Sequence, residues 1–311
     1  MVSIIMPVLN GSDTIKESIK SVIGQAYRNW ELIIIDGGSE DSTIEICEYW
    51  CKQDARIKLI KIQSSGVVES REVGVKVSKG EYIAFIDADD KMHSDMLEKL
   101  VCEIKETNAD IVSCGYVDVT VNGAKKNCNP IFSGVCDENK FFECLFQSGT
   151  LGFLWNKLYK REIYQEAAQP YNLAFCEDLY INCSILLKSR RVSILQECLY
   201  DYLVNTSSVT RTMDKKVASN GEWKYLNAYK EIEKLCVNHK DKLRRVEEAK
   251  WWVIKLGIEE LAQVEGYDIA KRKLLNEMKR SIPKMIKGNW KWKFKVGYCK
   301  RYLIASVRVK R

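Results

Sequence analysis

The chain has 311 residues, 46% hydrophobic and 29% charged, enough apolar material for a sizeable core and too much for a disordered segment. Only 4 Pro and 17 Gly exclude collagen-like and low-complexity character, and no apolar run approaches the ~20 residues that span a bilayer. The net charge of +7 is uneven: residues 278–311 hold 12 Lys or Arg and no acid, leaving 37 basic and 42 acidic side chains elsewhere, a net of −5.

At about 150 residues per domain, the length allows two domains or one large α/β domain with an extension. Residues 1–115 alternate strand and helix signals. Apolar runs at Val2–Met6, Leu32–Ile35, Ile57–Ile62, Tyr82–Ile86 and Asp110–Cys114 read as strands, and their continuity suits a parallel sheet covered on both faces. Between them, Ser12 or Asp13 opens a helix to about Gln25, and the Ser39–Asp41–Ser42 cluster opens another over 43–52. A third covers 67–78, and Ser94 starts a fourth that ends near Asn108. From 116 to 213 the rhythm is mixed, with turns at Asn122–Gly123 and Asn129–Pro130 and helical patterns near 138–147, 160–167 and 177–189. Residues 214–311 read as a helical, charge-rich, finally basic extension.

In an open parallel sheet, ligands sit beyond the carboxyl ends of the strands. Here those ends deliver Pro7, Val8 and Asn10 after the first strand, Asp36–Gly37–Gly38 after the second, and Asp87–Ala88–Asp89–Asp90 after the fourth. Neither the G-x-G-x-x-G turn nor the P-loop is present. Three carboxylates within four residues need a cation, and oxygen ligands favour Mg²⁺ or Mn²⁺, which usually share their shell with substrate phosphates. The rim therefore points to a diphosphate ligand. Asp90 and Asp95, just before a helix, read as ordinary helix-start acids.

Five segments, VSIIMPVLNGSDTIKESIKSVIGQ, ELIIIDGGSEDST, KGEYIAFIDADD, FLWNKLYKREI and FCEDLYINCSIL, resemble in order and spacing a family 2 glycosyltransferase of the GT-A fold, of the kind that builds bacterial cell-surface glycans. The resemblance implies a mostly parallel nucleotide-binding sheet flanked by helices, with the helical extension after it. It implies that Pro7, Val8, Asn10 and Asp36 line the nucleoside, and that Asp87, Ala88 and Asp89 form the D-x-D turn. Asp89, with Asp87, would hold the divalent metal. Arg71 would lie near the diphosphate or brace the Asp87 loop. Asp178 matches the catalytic base, with Trp155, Asn156 and Glu177 on the acceptor side. The implied reaction is inverting and metal-dependent: a sugar moves from a nucleotide-diphosphate donor to a glycan or lipid-linked acceptor. Gly37 stands where the family commonly has a second acid, which loosens the expectation of a uridine donor, and Glu72 stands where it has Asn, which loosens the expectation for the Arg71 loop.

Two other readings fit parts of the pattern: a Mg²⁺-dependent phosphotransferase or phosphatase with Asp87 as nucleophile, and a non-catalytic nucleotide-sugar-binding module. His93 and His239 are the only histidines, and His93, four residues past Asp89, reads as solvent-facing. The first residues lack the features of a signal peptide, and twelve cysteines without regular spacing read as reduced thiols. Cys47 and Cys51 lack the partners of a metal site. A cytoplasmic location follows, at the inner membrane face if the tail docks there. In that tail Trp290, Trp292 and Phe294 alternate with Lys291, Lys293 and Lys295, which suits an anionic membrane surface, with nucleic acid as the rival partner and a solvated basic end whose aromatics pack back on the domain as an equal reading.

Overall fold

A computed structural model describes residues 1–63, 66–147, 151–173, 175–204, 216–287 and 295–302. The tail aromatics Trp290, Trp292 and Phe294 lie outside them. The chain forms two compact units, residues 1–172 with 177–205, and residues 173–176 with 206–311.

The first unit is built on strands β1 (Val2–Val8), β2 (Trp30–Asp36), β3 (Ile57–Lys61) and β4 (Tyr82–Phe85), with helices α1 (Ile15–Ile23), α2 (Thr43–Gln53) and α3 (Val67–Val77) between them. These four strands lie in the order β3-β2-β1-β4 and pair in parallel throughout. β1 and β2 are buried along almost their whole length, which is why their sequences run apolar without alternation. Helix α3 approaches the sheet closely at Gly74, where a Cβ would come within 2.5 Å of Ile5 Cγ2. Because β1 has β2 on one side and β4 on the other, the chain order reverses at its carboxyl end and opens a crevice there.

The sheet continues through β9 (Lys157–Lys160), β6 (Ile111–Thr120), β10 (Arg191–Val204) and β5 (Lys91–Met92), with β7 (Lys125–Cys128) on β6 and β8 (Gly134–Asp137) on β10. All antiparallel pairs involve strands after β4; β6 and β10 pair in parallel. Helices α4 (Met96–Thr107), α5 (Glu138–Gln147), α6 (Arg161–Gln165) and α7 (Glu177–Leu186) complete the unit. Beyond the expected elements, the sequence concealed β10, the 14-residue strand on which half of the candidate site leans. Its register with β6 shifts twice around Cys198, so neither a period of two nor a continuous apolar run marks it.

The second unit contains α8 (Lys224–Leu235), α9 (Lys240–Leu261), α10 (Asp268–Lys287) and a further helix over 295–302. Trp223, Trp251, Ile254, Leu274, Met278, Met285 and Tyr298 share one buried cluster. No helix among the described residues is long and apolar enough to cross a membrane.

Candidate active site

The loop after β1 is held in place before any ligand is considered. Asn10 takes a left-handed conformation (φ 52°), its N–H donates to Ser39 Oγ at 2.9 Å, and its Oδ1 accepts from the Glu40 N–H at 2.9 Å. Asn10 thus latches the loop after β2. Val8, the register partner of Asp36, accepts from the Gly37 N–H at 2.9 Å. Asp36 is fully buried: its Oδ1 accepts from the Gly38 and Ser39 N–H groups, both at 3.0 Å, while its Oδ2 has no partner. A buried carboxylate oxygen without a donor is costly, and this one sits where the sheet order reverses.

At the end of β4 the D-x-D turn is braced from behind. The Asp87 N–H donates to Tyr200 Oη at 3.1 Å, and the Tyr200 hydroxyl donates to Asp90 Oδ2 at 2.8 Å. Asp90 Oδ1 accepts from the Leu203 N–H at 2.8 Å. Asp90 is therefore not the solvated helix-start acid expected from sequence; it is fully buried, with its carboxyl pushed well above the usual range by burial and by Asp87 and Asp89. The Ala88 carbonyl accepts from Ser18 Oγ at 2.8 Å, which fixes the middle of the turn. Asp89 remains partly exposed, its carboxyl raised by burial.

Arg71, 4% exposed at its side chain, gathers three acids from two places in the chain. Its Nη1 donates to Asp178 Oδ1 at 2.6 Å and lies 3.6 Å from Glu177 Oε1, and its Nη2 lies 3.4 Å from Asp87 Oδ1. The Leu154 N–H donates to Asp178 Oδ2 at 3.1 Å. Burial pushes Asp87 up to about 6, against the opposing pull of Arg71. It pushes Glu177 up to about 7, with Asp178 adding to the shift. Arg71 thereby ties the start of α7 to the Asp87 turn.

Pro7 and Val8 end β1 beside this cluster's strand, and neither presents a polar side chain. Trp155 and Asn156 depart from the expectation of acceptor contact. Trp155 is 2% exposed because its faces are covered by Phe153 at 4.6 Å and Tyr200 at 4.4 Å. Asn156 is fully buried, donating to the Cys114 carbonyl at 2.8 Å and accepting from Lys157 Nζ at 2.8 Å. They build the wall, and half-buried Phe153 and Tyr202 form its outer rings. Lys157, also fully buried, holds the Phe153 carbonyl, and burial lowers its ammonium to about 7. His93 is not a free solvent-facing ring: its Nε2 lies 2.9 Å from Asp201 Oδ1.

Sequence reasoning missed Tyr200, Lys157 and the true place of Asp90. The phenol of Tyr200 lies on the concealed strand 110 residues from Asp90, so no local pattern announces it.

Comparison with known proteins agrees with this architecture. Residues 3–167, just over half of the chain, match the model of a family described as glycosyl transferase family 2. A Bacillus subtilis (strain 168) protein described as an uncharacterized glycosyltransferase, EpsJ, is 31% identical over 68% of this chain and 63% of its own length. The chain thus spans just under two thirds of that relative. A second protein of that organism, TuaG, named for teichuronic acid biosynthesis, is 29% identical over 76% of this chain and 89% of its own length. The crystal structure of S. aureus TarS 1-349 in complex with UDP-GlcNAc superposes with a TM-score of 0.70, at 18% identity, over 89% of this chain and 80% of that one. The fold is the α/β arrangement of the GT-A type.

Proposed function

The chain belongs to glycosyl transferase family 2, and on that premise we propose that it moves a sugar from a nucleotide-diphosphate sugar to a glycan or lipid-linked acceptor in cell-surface polysaccharide synthesis. The observation that carries this reading is the convergence of Asp87, Glu177 and Asp178 on one buried guanidinium. Arg71 of α3 and the two acids that open α7 meet Asp87 just past the end of β4, in the unit whose strand β2 ends at Asp36 with its unpartnered Oδ2. The nucleoside binds along Pro7, Val8, Asn10 and Asp36, where that free oxygen accepts a hydroxyl or ring N–H. The diphosphate lies toward Ala88 and Asp89.

A divalent cation, Mn²⁺ or Mg²⁺, fits this donor set. The ligands are all carboxylate oxygens, their negative charge exceeds that of one arginine, and Asp89 accepts no hydrogen bond from another described residue. Among the described residues no group of three or more metal-binding side chains is assembled. Asp89, with Asp87 beside it, would therefore hold the ion together with phosphate oxygens and water. When bound, it supplies Lewis-acid stabilisation of the departing diphosphate.

Asp178 takes the proton of the acceptor hydroxyl as its oxygen forms a bond to the anomeric carbon. The bond to the diphosphate breaks on the opposite face, so a single displacement inverts the centre. A carboxylate offers about four lone-pair sites. Arg71 and the Leu154 N–H occupy two of them, orienting Asp178 and leaving room for the incoming hydroxyl. Glu177 borders this face with a side chain 21% exposed. A cytoplasmic location goes with this reading, since twelve cysteines without regular spacing read as reduced thiols. The phosphotransferase reading lacks family support, because residues 3–167 match a glycosyltransferase family.

A thermal-shift screen of UDP-, GDP- and dTDP-sugars with and without Mn²⁺ tests the proposal. One donor class should raise the midpoint more with metal than without. Asp178→Asn should keep that shift and lose transfer by roughly 10²–10⁴-fold. No stabilisation by any sugar nucleotide, or near-wild-type transfer by folded Asp178→Asn, would overturn it. Nucleotide-independent hydrolysis of a phosphate ester would revive the phosphotransferase reading.

A further inference from the structure

The second unit carries a surface for which the transfer reaction has no use. Helix α10 buries Leu274, Met278 and Met285 in the cluster shared with α9 and Tyr298. Its opposite side is rich in cations. Some of these are neutralised: Lys284 lies 3.2 Å from Glu247, Arg280 3.7 Å from Glu277, and Arg301 of the 295–302 helix 2.5 Å from Glu259. Lys279, Lys287, Lys295 and Lys300 have no acidic partner among the described residues. Between them stand two exposed aliphatic side chains, Ile286 at 52% and Val296 at 50%. Lys295 Nζ donates to the Ile286 carbonyl at 2.7 Å, which ties the start of the 295–302 helix to the last turn of α10. Lys279 and Ile286, seven residues apart, share one helical face, as do Val296 and Lys300, four apart.

We propose that this outer face of α10 and the 295–302 helix docks on an anionic lipid bilayer, with Ile286 and Val296 entering the headgroup boundary and Lys279, Lys287 and Lys300 meeting lipid phosphates. Exposed aliphatic side chains ringed by cations are what a membrane interface rewards twice, through apolar burial and through attraction to anionic lipids. A nucleic-acid backbone would use the lysines but gain little from two aliphatic side chains at the centre of the contact. The charge distribution agrees, because residues 278–311 contain no acid while the rest of the chain is net negative. Residues beyond 302 are not needed for this contact.

Co-sedimentation of the full chain with vesicles of phosphatidylcholine, with and without phosphatidylglycerol, at low and high salt, tests the surface. Wild type should bind only the anionic vesicles and leave them at high salt. Each neutralised lysine should cost about fivefold in partitioning, so Lys279→Gln/Lys287→Gln/Lys300→Gln should lose on the order of a hundredfold. Ile286→Ser/Val296→Ser should lose about tenfold. All the altered side chains are exposed, and an unchanged thermal midpoint checks the fold of each variant. Failure of wild type to bind would overturn the proposal, as would binding by the triple variant within about twofold of wild type. Loss of binding on truncation after residue 302, with the triple variant unaffected, would move the anchor to the tail and refute it too. Displacement from vesicles by duplex DNA at equal or lower concentration would make the surface a nucleic-acid site instead. Vesicle binding is read without a sugar nucleotide, so none of these results bears on the transferase reading.

Discussion

Replacing Arg71 by Met leaves most of the packing volume and removes the charge around which the acids assemble. The guanidinium is 4% exposed and has carboxylate oxygens at 2.6, 3.4 and 3.6 Å. Breaking a buried pair by removing one partner costs about 3–5 kcal/mol, because the other charge stays behind. For a unit of this size each kcal/mol moves the midpoint by about 2–4 °C, so Arg71→Met should melt ~6–20 °C below wild type at pH 8. The loss should depend on pH in a defined direction. Asp87, at about 6, and Glu177, at about 7, already sit above their ordinary values, with Arg71 opposing the shift. Without Arg71 both rise further. A carboxyl raised in the folded state destabilises only where the unfolded chain has released its proton and the fold resists doing so, that is, as pH climbs from about 4 through the folded value. The deficit should therefore shrink by half or more between pH 8 and pH 5. Differential scanning fluorimetry of the ligand-free pair at both pH values decides this. A deficit under about 1 kcal/mol at pH 8, or one equal at the two pH values, would refute the charge-cluster reasoning.

Other substitutions probe separate parts of the site. Tyr200→Phe leaves the Asp87 N–H and Asp90 Oδ2 without their shared partner; it should cost about 1–3 kcal/mol in chemical denaturation and weaken metal-dependent donor binding measured by calorimetry. Glu177→Gln removes a group raised from 4.5 to about 7. Wild type loses stability as pH rises through that window and the variant does not, so at pH 8 the variant should be about 1–3 kcal/mol the more stable, with no difference near pH 4. Asp36→Asn keeps the two loop hydrogen bonds at Oδ1 but turns the unpartnered acceptor into a donor; sugar-nucleotide affinity should fall about tenfold or more with little change in melting.

Much of the first half was legible because its physics is local. Ile4, Ile33 and Ile83 sit in strands buried on both faces, so the apolar runs report them directly. Asp36, Asp87 and Asp89 follow from one topological rule, since a parallel sheet exposes its ligand edge at the strand ends. The rest of the site depends on contacts with no sequence period. Arg71 meets Asp178 across 107 residues, and Tyr200 meets Asp90 across 110. Asp90 looked like a helix-start acid because its neighbours in the chain are polar; its neighbours in space are a phenol and a backbone N–H from β10. For Trp155 the expected role on the substrate came from the family resemblance alone. Stacking against Phe153 and Tyr200 leaves it no free face.

The most direct measurement is a crystal of the protein soaked with Mn²⁺ and the sugar nucleotide that stabilises it best, with anomalous difference data collected for the metal. The proposed transferase site requires the anomalous peak within coordinating distance of Asp89, the diphosphate on that ion, the nucleoside against Asp36, and the anomeric carbon facing Asp178. A nucleotide bound elsewhere, or a metal peak remote from the 87–89 turn, would contradict it.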